Sequence, residues 1–242
     1  MRNFSSILFL MLVGCIAGTS GQGMQNDASK PPSAPKHDLS GVWNMQGNLD
    51  ATFNVNGPEM TEWAKQKYEA AKPSNGARTH PLNEVNDPVL KLCRPPGVPR
   101  IYLHPFPMEI VQTPKETLLL YEYDHTVRRV FTDGRKHTED ITPTYMGESI
   151  GHWEGDSFVV DTIGFNDKTW LDRDGHPHSD QLHVIERFDR MDRDNMQIEI
   201  TMADPKALVK PWVTRLSFRL RPQWDIQEQV CTDNTTFLDF EK

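Results

Sequence analysis

The chain has 242 residues, of which 25% are charged, and a formal net charge of -8. That length, less a removable leader, suits one large domain and would crowd a second, since β-barrels and sandwiches of about 200 residues commonly fold as single units. An acidic surface gives no electrostatic reason to approach nucleic acid, so that class of partner is excluded.

At the N-terminus Met1-Arg2-Asn3 supplies one positive charge and Ile7 to Val13 is apolar but too short for a permanent membrane span, the pattern of an export signal. Its end, Leu12-Val13-Gly14-Cys15, resembles the bacterial lipobox, which predicts a signal peptide over 1–14, lipidation of Cys15 and attachment to a membrane through that lipid. The alternative is ordinary cleavage further along, between Ala17 and Gly23, with Cys15 discarded. Residues 15–37 turn to Gly, Ser, Gln, Asn, Lys and Pro, with nothing to bury, and read as a flexible tether ahead of a single domain over 38–242. Two cysteines then remain, Cys93 and Cys231, in a chain sent to an oxidising compartment. They either pair, stabilising by up to roughly 4 kcal/mol in the chain-entropy account, or stay as two buried thiols.

The domain opens with "DLSGVWNMQG", which places Gly41 and Trp43 at a strand start where the indole can plug one end of a barrel. "PEMTEWAKQKYEAAK", Pro58 to Lys72, predicts a helix: Pro58 suits a first turn, Glu59 and Glu62 suit its positive end, and Pro73 with Asn75-Gly76 stops it. Met60, Trp63, Ala64, Tyr68 and Ala71 share one face, a packing surface. From Asp87 to Pro114 seven prolines predict an extended segment, poor in ladder hydrogen bonds, that wraps the domain. Short strands follow over Glu109–Thr113, Thr117–Tyr123, Val127–Thr132, Ser149–Glu154, Ser157–Ile163, His183–Arg190, Asn195–Met202, Trp212–Leu220 and Trp224–Cys231, most joined by turn-like links. Sequential hairpins of this kind predict an all-β, antiparallel up-and-down meander that buries its edges by closing into a barrel, with a Greek-key sandwich as the alternative.

"DLSGVW", "CRPPGVPRIYLHPFP", "YEYDHTVRRVFTDGR", "MGESIGHWEGDSFVVDTIGFNDKTW", "DGHPHSDQLHVIERF" and "DPKALVKPW" together resemble a family of uncharacterised secreted bacterial proteins. The likeness spans nearly all of the chain after the leader; it implies export and one domain and brings no activity with it. Gly41-X-Trp43 and the strand pattern are similar to the opening of lipocalins and their calycin relatives, which implies the barrel form alone.

Sorting each strand into two faces gives clean inward sets in two of them, Met196, Ile198, Ile200 and Met202, then Trp212, Leu216, Phe218 and Leu220. Against that standard several ionisable residues share an apolar face: Glu122 with Leu118 and Leu120, Asp161 between Val159 and Ile163, Glu186 between Val184 and Phe188, Glu228 between Ile226 and Val230, and His152 and Glu154 with Ile150. A buried carboxylate needs a partner, and Arg128, Arg129, Arg135 and Arg187 are the candidates, with Glu122 and Arg129 as one pair. His152 and Asp161 are expected to face a common cavity, with Glu154 nearer solvent.

"DGHPHSDQLH" sets His176, His178 and His183 in a loop and strand start, either overhanging the barrel mouth or holding a metal; no carboxylate or supporting partner in fixed spacing accompanies them, and no metal or other cofactor is predicted. Asp172 and Asp174-Gly175 lack the later ligands of a calcium loop. No nucleophile motif is present. Three readings follow. The first is an exported barrel, periplasmic or outer-membrane-anchored, that binds a small, partly apolar molecule, with Arg128, Arg129, Arg135, His178 and His183 as ligand contacts. The second is a cofactor-independent lyase, dehydratase or isomerase using His152, Asp161, Glu122 and Glu186 for proton transfer. The third is a structural factor whose interior charges only pair with one another.

Overall fold

Alternation of apolar and polar side chains produces the strands, and closure removes their edges. In a computed structural model that describes residues 35–47, 52–53 and 56–231, nine strands form a closed barrel in chain order. They are β1 (Gly41–Met45), β2 (Met108–Gln112), β3 (Glu116–Tyr121), β4 (Val127–Phe131), β5 (Glu148–Glu154), β6 (Ser157–Ile163), β7 (His183–Arg190), β8 (Asn195–Ala203) and β9 (Trp212–Leu220). The leader, Cys15 and the tether as far as residue 34 lie outside the described residues; His37, placed at the tether's end by the sequence, already stacks on Trp153 with ring centroids 4.5 Å apart.

The all-β barrel agrees with expectation, but its path is not a pure meander. An odd number of strands cannot alternate direction all round a closed ring, so one pair must run parallel. That pair is β4–β5, and its pairing is short: only Val130↔Ser149 and Phe131↔Ile150 are in register. The connection over 132–147 therefore runs back along the outside of the barrel, as a parallel connection must. It is held by hydrogen bonds from Thr144 N to Gly164 O (3.0 Å) and from Asn166 N to Thr144 O (2.8 Å).

The end of the barrel where β1 begins is closed by Trp43, fully buried, whose indole N–H donates to Leu39 O at 2.8 Å and whose ring lies under the Arg190 guanidinium. Gly41 is required there: its φ is +124°, and a side chain would meet Leu220 at 2.7 Å. The inward sets of β8 and β9 fall as the alternation predicts, with Met196, Ile198, Ile200, Met202, Trp212 and Phe218 all buried. The opposite, upper end carries the loops that follow β6 and β8.

Three elements depart from the sequence reading. The helix, α1 (Glu62–Ala70), starts four residues after Pro58, because Thr61 caps it, its hydroxyl oxygen accepting the Ala64 N–H, while Met60 pairs with Leu208 in an isolated bridge. The proline-rich segment does not wrap the barrel but enters it. Asp87 and Pro88 start a short helix, α2 (Pro88–Leu92), and a 3-10 turn over Arg100–Leu103 is buried at all four residues. Its Tyr102 ring sits against Tyr121 and Phe218, 6.0 and 5.9 Å away. Proline suits a buried connection because each one removes an N–H that would otherwise need an acceptor.

Last, Trp224–Cys231 is not a strand. Since β9 already pairs with β1, no free edge is left for a tenth. The segment is instead a strap pinned by side chains: Gln227 N donates to Glu122 Oε2 (2.8 Å), Asp124 N to Gln229 Oε1 (2.7 Å) and Cys231 N to Asp124 Oδ1 (3.2 Å). A Cys93–Cys231 disulfide ties it to the end of α2.

Candidate functional site

Among the described strand residues, two charged side chains are buried inside the barrel. Arg128 of β4 and Glu186 of β7 are both buried and form a two-pronged ion pair, Arg128 Nη1 donating to Glu186 Oε1 at 3.0 Å and Nη2 to Oε2. The remaining guanidinium protons reach Ser149 Oγ (3.0 Å), Thr162 Oγ1 (2.8 Å) and the Tyr102 hydroxyl (3.3 Å), and that hydroxyl in turn donates to Glu186 Oε1 at 2.7 Å. All five N–H groups of Arg128 thus have acceptors. Burial opposes its charge, but Glu186 and the tyrosines outweigh it and hold the guanidinium above its ordinary pKa. Burial, reinforced by the Glu186 carboxylate, pushes the Tyr102 phenol well above its ordinary value, and burial pushes Tyr121 up to about 12, so both remain O–H donors at neutral pH. The Tyr121 hydroxyl has no partner among the described residues.

This network fills the place where a ligand cavity was expected. Glu186 and Arg128 do face inward, but toward each other, and Tyr102 from the proline-rich segment covers them. A molecule in the lumen would have to displace that ring.

The opening lies instead in the wall. Because β4 and β5 pair at only two positions, Val127–Arg129 has no neighbour on that side, and a cleft of about 530 Å³ opens between it and the crossover. Val127, Phe131, Ile141 and Met146 supply apolar surface; Thr138, Thr142 and Thr144 supply hydroxyls; Arg129, Asp140 and Glu148 supply charge. Arg128 and Ser149 belong both to this wall and to the buried network. Gly147 makes the turn into β5 with φ +68°, where a side chain would strike Ile163 O at 2.7 Å. A second, smaller depression of about 330 Å³ lies around Arg193, Arg219, Arg221 and Trp224 and has no residue in common with the Arg128–Glu186 network.

His137, on the crossover, was not singled out by the sequence. Its Nδ1 lies 3.1 Å from Glu148 Oε1 and its Nε2 3.2 Å from Asp161 Oδ1, an oxygen also reached by His183 Nε2 at 2.8 Å. Thr138 adds its N–H (2.8 Å) and hydroxyl (2.6 Å) to Glu148. Partial burial alone would raise the Glu148 carboxyl; the hydrogen bonds from Thr138 and His137 together outweigh it and hold the group below its ordinary pKa. These contacts fasten the crossover over the outer face of β5, β6 and β7, beside the cleft.

Other residues expected at one cavity are dispersed. His152 and Asp161 do share a face, but it is the outer one: His152 is exposed and pairs with Glu154 at 3.0 Å, and Glu154 with Arg187 at 2.7 Å. The error of face arises because β6 is apolar on both sides, and Phe158 and Val160 rather than Val159 and Ile163 point inward. In β3 the inward residues are Leu119 and Tyr121, not Leu118 and Leu120; the strand ends before Glu122, whose carboxylate accepts from the strap. Arg129 is therefore not its partner and pairs outside with Glu116 at 2.7 Å. Arg135 pairs with Asp133 and lies on the Phe131 ring, 3.9 Å from its centroid. Glu228 is exposed on the strap.

The three loop histidines separate. His176 Nδ1 meets Asp172 Oδ2 at 2.6 Å while its ring stacks on Tyr68; His178 is buried between the Thr169 hydroxyl and Ser179 O, each 3.0 Å away; His183 joins Asp161. Burial lowers the pKa of His178, which sits as a neutral structural ring. Among the described residues no group of three or more His, Cys, Asp or Glu is arranged to hold a metal ion. Asp172 organises its own loop, Oδ1 accepting the N–H groups of Asp174, Gly175 and His176, and Asp204 does the same for the β8–β9 loop and Ser179. An Asp followed by a turn-prone Pro or Gly, as at Asp204-Pro205 and Asp174-Gly175, was the available signal for such loops.

Compared with protein-family models, with curated proteins and with solved structures, the chain matches none. Fold and site define it as a closed, lipocalin-like β-barrel with an ion pair locked in its apolar interior and an amphipathic cleft in its wall.

Proposed function

We propose that this protein is an exported, lipid-anchored barrel that binds a small, partly apolar molecule, and that the ligand lies in the cleft at the β4–β5 seam. The observation that carries the reading is the cleft itself: its volume of about 530 Å³ falls within the roughly 300–1,000 Å³ typical of small-molecule sites, and its wall alternates apolar side chains with hydroxyls and charges. Export is supported by the apolar leader ending in Cys15 and by the Cys93–Cys231 disulfide, which suits an oxidising compartment. The proton-transfer reading has no such support: Glu186 is paired with Arg128 inside the barrel, His152 and Asp161 lie on its outer face with separate partners, and Glu122 holds the strap.

A thermal-shift and native mass-spectrometry screen of small amphipathic metabolites tests the proposal. Hits are expected to leave unchanged, and Met146→Trp, which adds bulk to the crossover wall of the cleft, is expected to weaken them by about tenfold or more, some 1.4 kcal/mol. Hits bound equally well by Met146→Trp would place the ligand elsewhere.

A further inference from the structure

We propose that Arg100, Arg173 and His104, at the upper end of the barrel, bind one small monovalent inorganic anion of chloride size. Arg100 is 1% exposed and spends Nη2 on Asp87 Oδ2 at 2.5 Å. Its Nε and Nη1 have no acceptor among the described residues, and the Trp170 ring has its centroid 5.5 Å from the guanidinium. The other oxygen of Asp87, Oδ1, accepts the Val89 N–H that starts α2.

A second cation stands close by. Arg173, partly buried, donates Nη1 to Leu103 O at 3.3 Å, which places its guanidinium beside the residue next to His104. His104 is itself buried, packs at a tilt against Tyr123 with ring centroids 4.2 Å apart, and leaves Nε2 without a partner among the described residues. Burial, then Arg100 and Arg173, hold its pKa well below the ordinary value, so it adds no charge of its own. Two guanidiniums thus face one carboxylate, and unpaired N–H groups remain on the deeper of them. A buried water would supply an acceptor but leave the excess positive charge; a monovalent anion supplies both. The site lies outside the seam cleft and shares no residue with it.

The test uses the whole protein with chloride and bromide as probes. Melting temperature should rise saturably as chloride replaces gluconate at constant ionic strength, and Arg173→Met, on the partly exposed side of the cluster, should keep its fold and lose that rise. Crystals grown in bromide should show an anomalous peak within hydrogen-bond distance of Arg100 Nε or Nη1. A water in place of that peak, identical melting in chloride and gluconate, or an undiminished rise in Arg173→Met would each overturn the proposal.

Discussion

Truncating Glu186 to alanine is expected to lower the unfolding free energy by about 3–5 kcal/mol, the usual consequence of leaving one member of a buried ion pair alone. The effect should sit at the upper end of that range, because Arg128 would keep its charge among Tyr102, Ser149 and Thr162 with no carboxylate to balance it, and the Tyr102 hydroxyl would lose its acceptor as well. Replacing both partners, Arg128→Met with Glu186→Leu, should recover much of the loss, since hydrocarbon of similar volume often substitutes for a buried pair at little net cost. Recovery should be incomplete until Tyr102→Phe is added, whereas Ser149 and Thr162 keep each other's hydroxyls at 3.0 Å. Urea denaturation of the three variants measures this. A single-variant loss below about 1 kcal/mol would mean that the pair is solvated and the lumen open.

Removing the disulfide should be the next largest change. The 138-residue separation between Cys93 and Cys231 makes the constraint on the unfolded chain a large one, and Cys93→Ala with Cys231→Ala is expected to cost about 2–5 kcal/mol. The loss should be local in its structural effect. Closure of the barrel depends on β1–β9 pairing and not on the strap, so the far-ultraviolet spectrum should persist. The strap from Pro222 to position 231, held otherwise by three side-chain to backbone bonds, should become a preferred site of limited proteolysis. Equal stability and equal protease resistance in the double variant would show that those bonds suffice alone.

What the sequence made legible divides along a physical line. Strands with one apolar and one polar face declared both their limits and their direction: β7 and β9 run between the residues their alternation predicts, and Glu186, flanked by Val184 and Phe188, was correctly placed inside. β6 is apolar on both faces because its outer side is covered by the crossover, where Ile141 would touch any side chain at Gly164. Alternation carries no preference there, and His152 and Asp161 were assigned to the wrong side. Arg100, Asp87 and Tyr102 left no periodic trace, since a segment rich in proline is neither helix nor strand until the barrel receives it. The cleft was illegible for a related reason: it is a consequence of closing nine strands with one parallel seam, a property of the ring and not of any stretch within it.

Amide hydrogen exchange, with and without a compound that raises the melting temperature, tests the seam cleft most directly. Protection is expected to concentrate in 127–131 and 138–149, on both walls of the opening, and to disappear when Met146 is replaced by tryptophan. Protection confined to the inward-facing strands β8 and β9, with 127–131 and 138–149 unchanged, would put the ligand in the lumen and contradict the account.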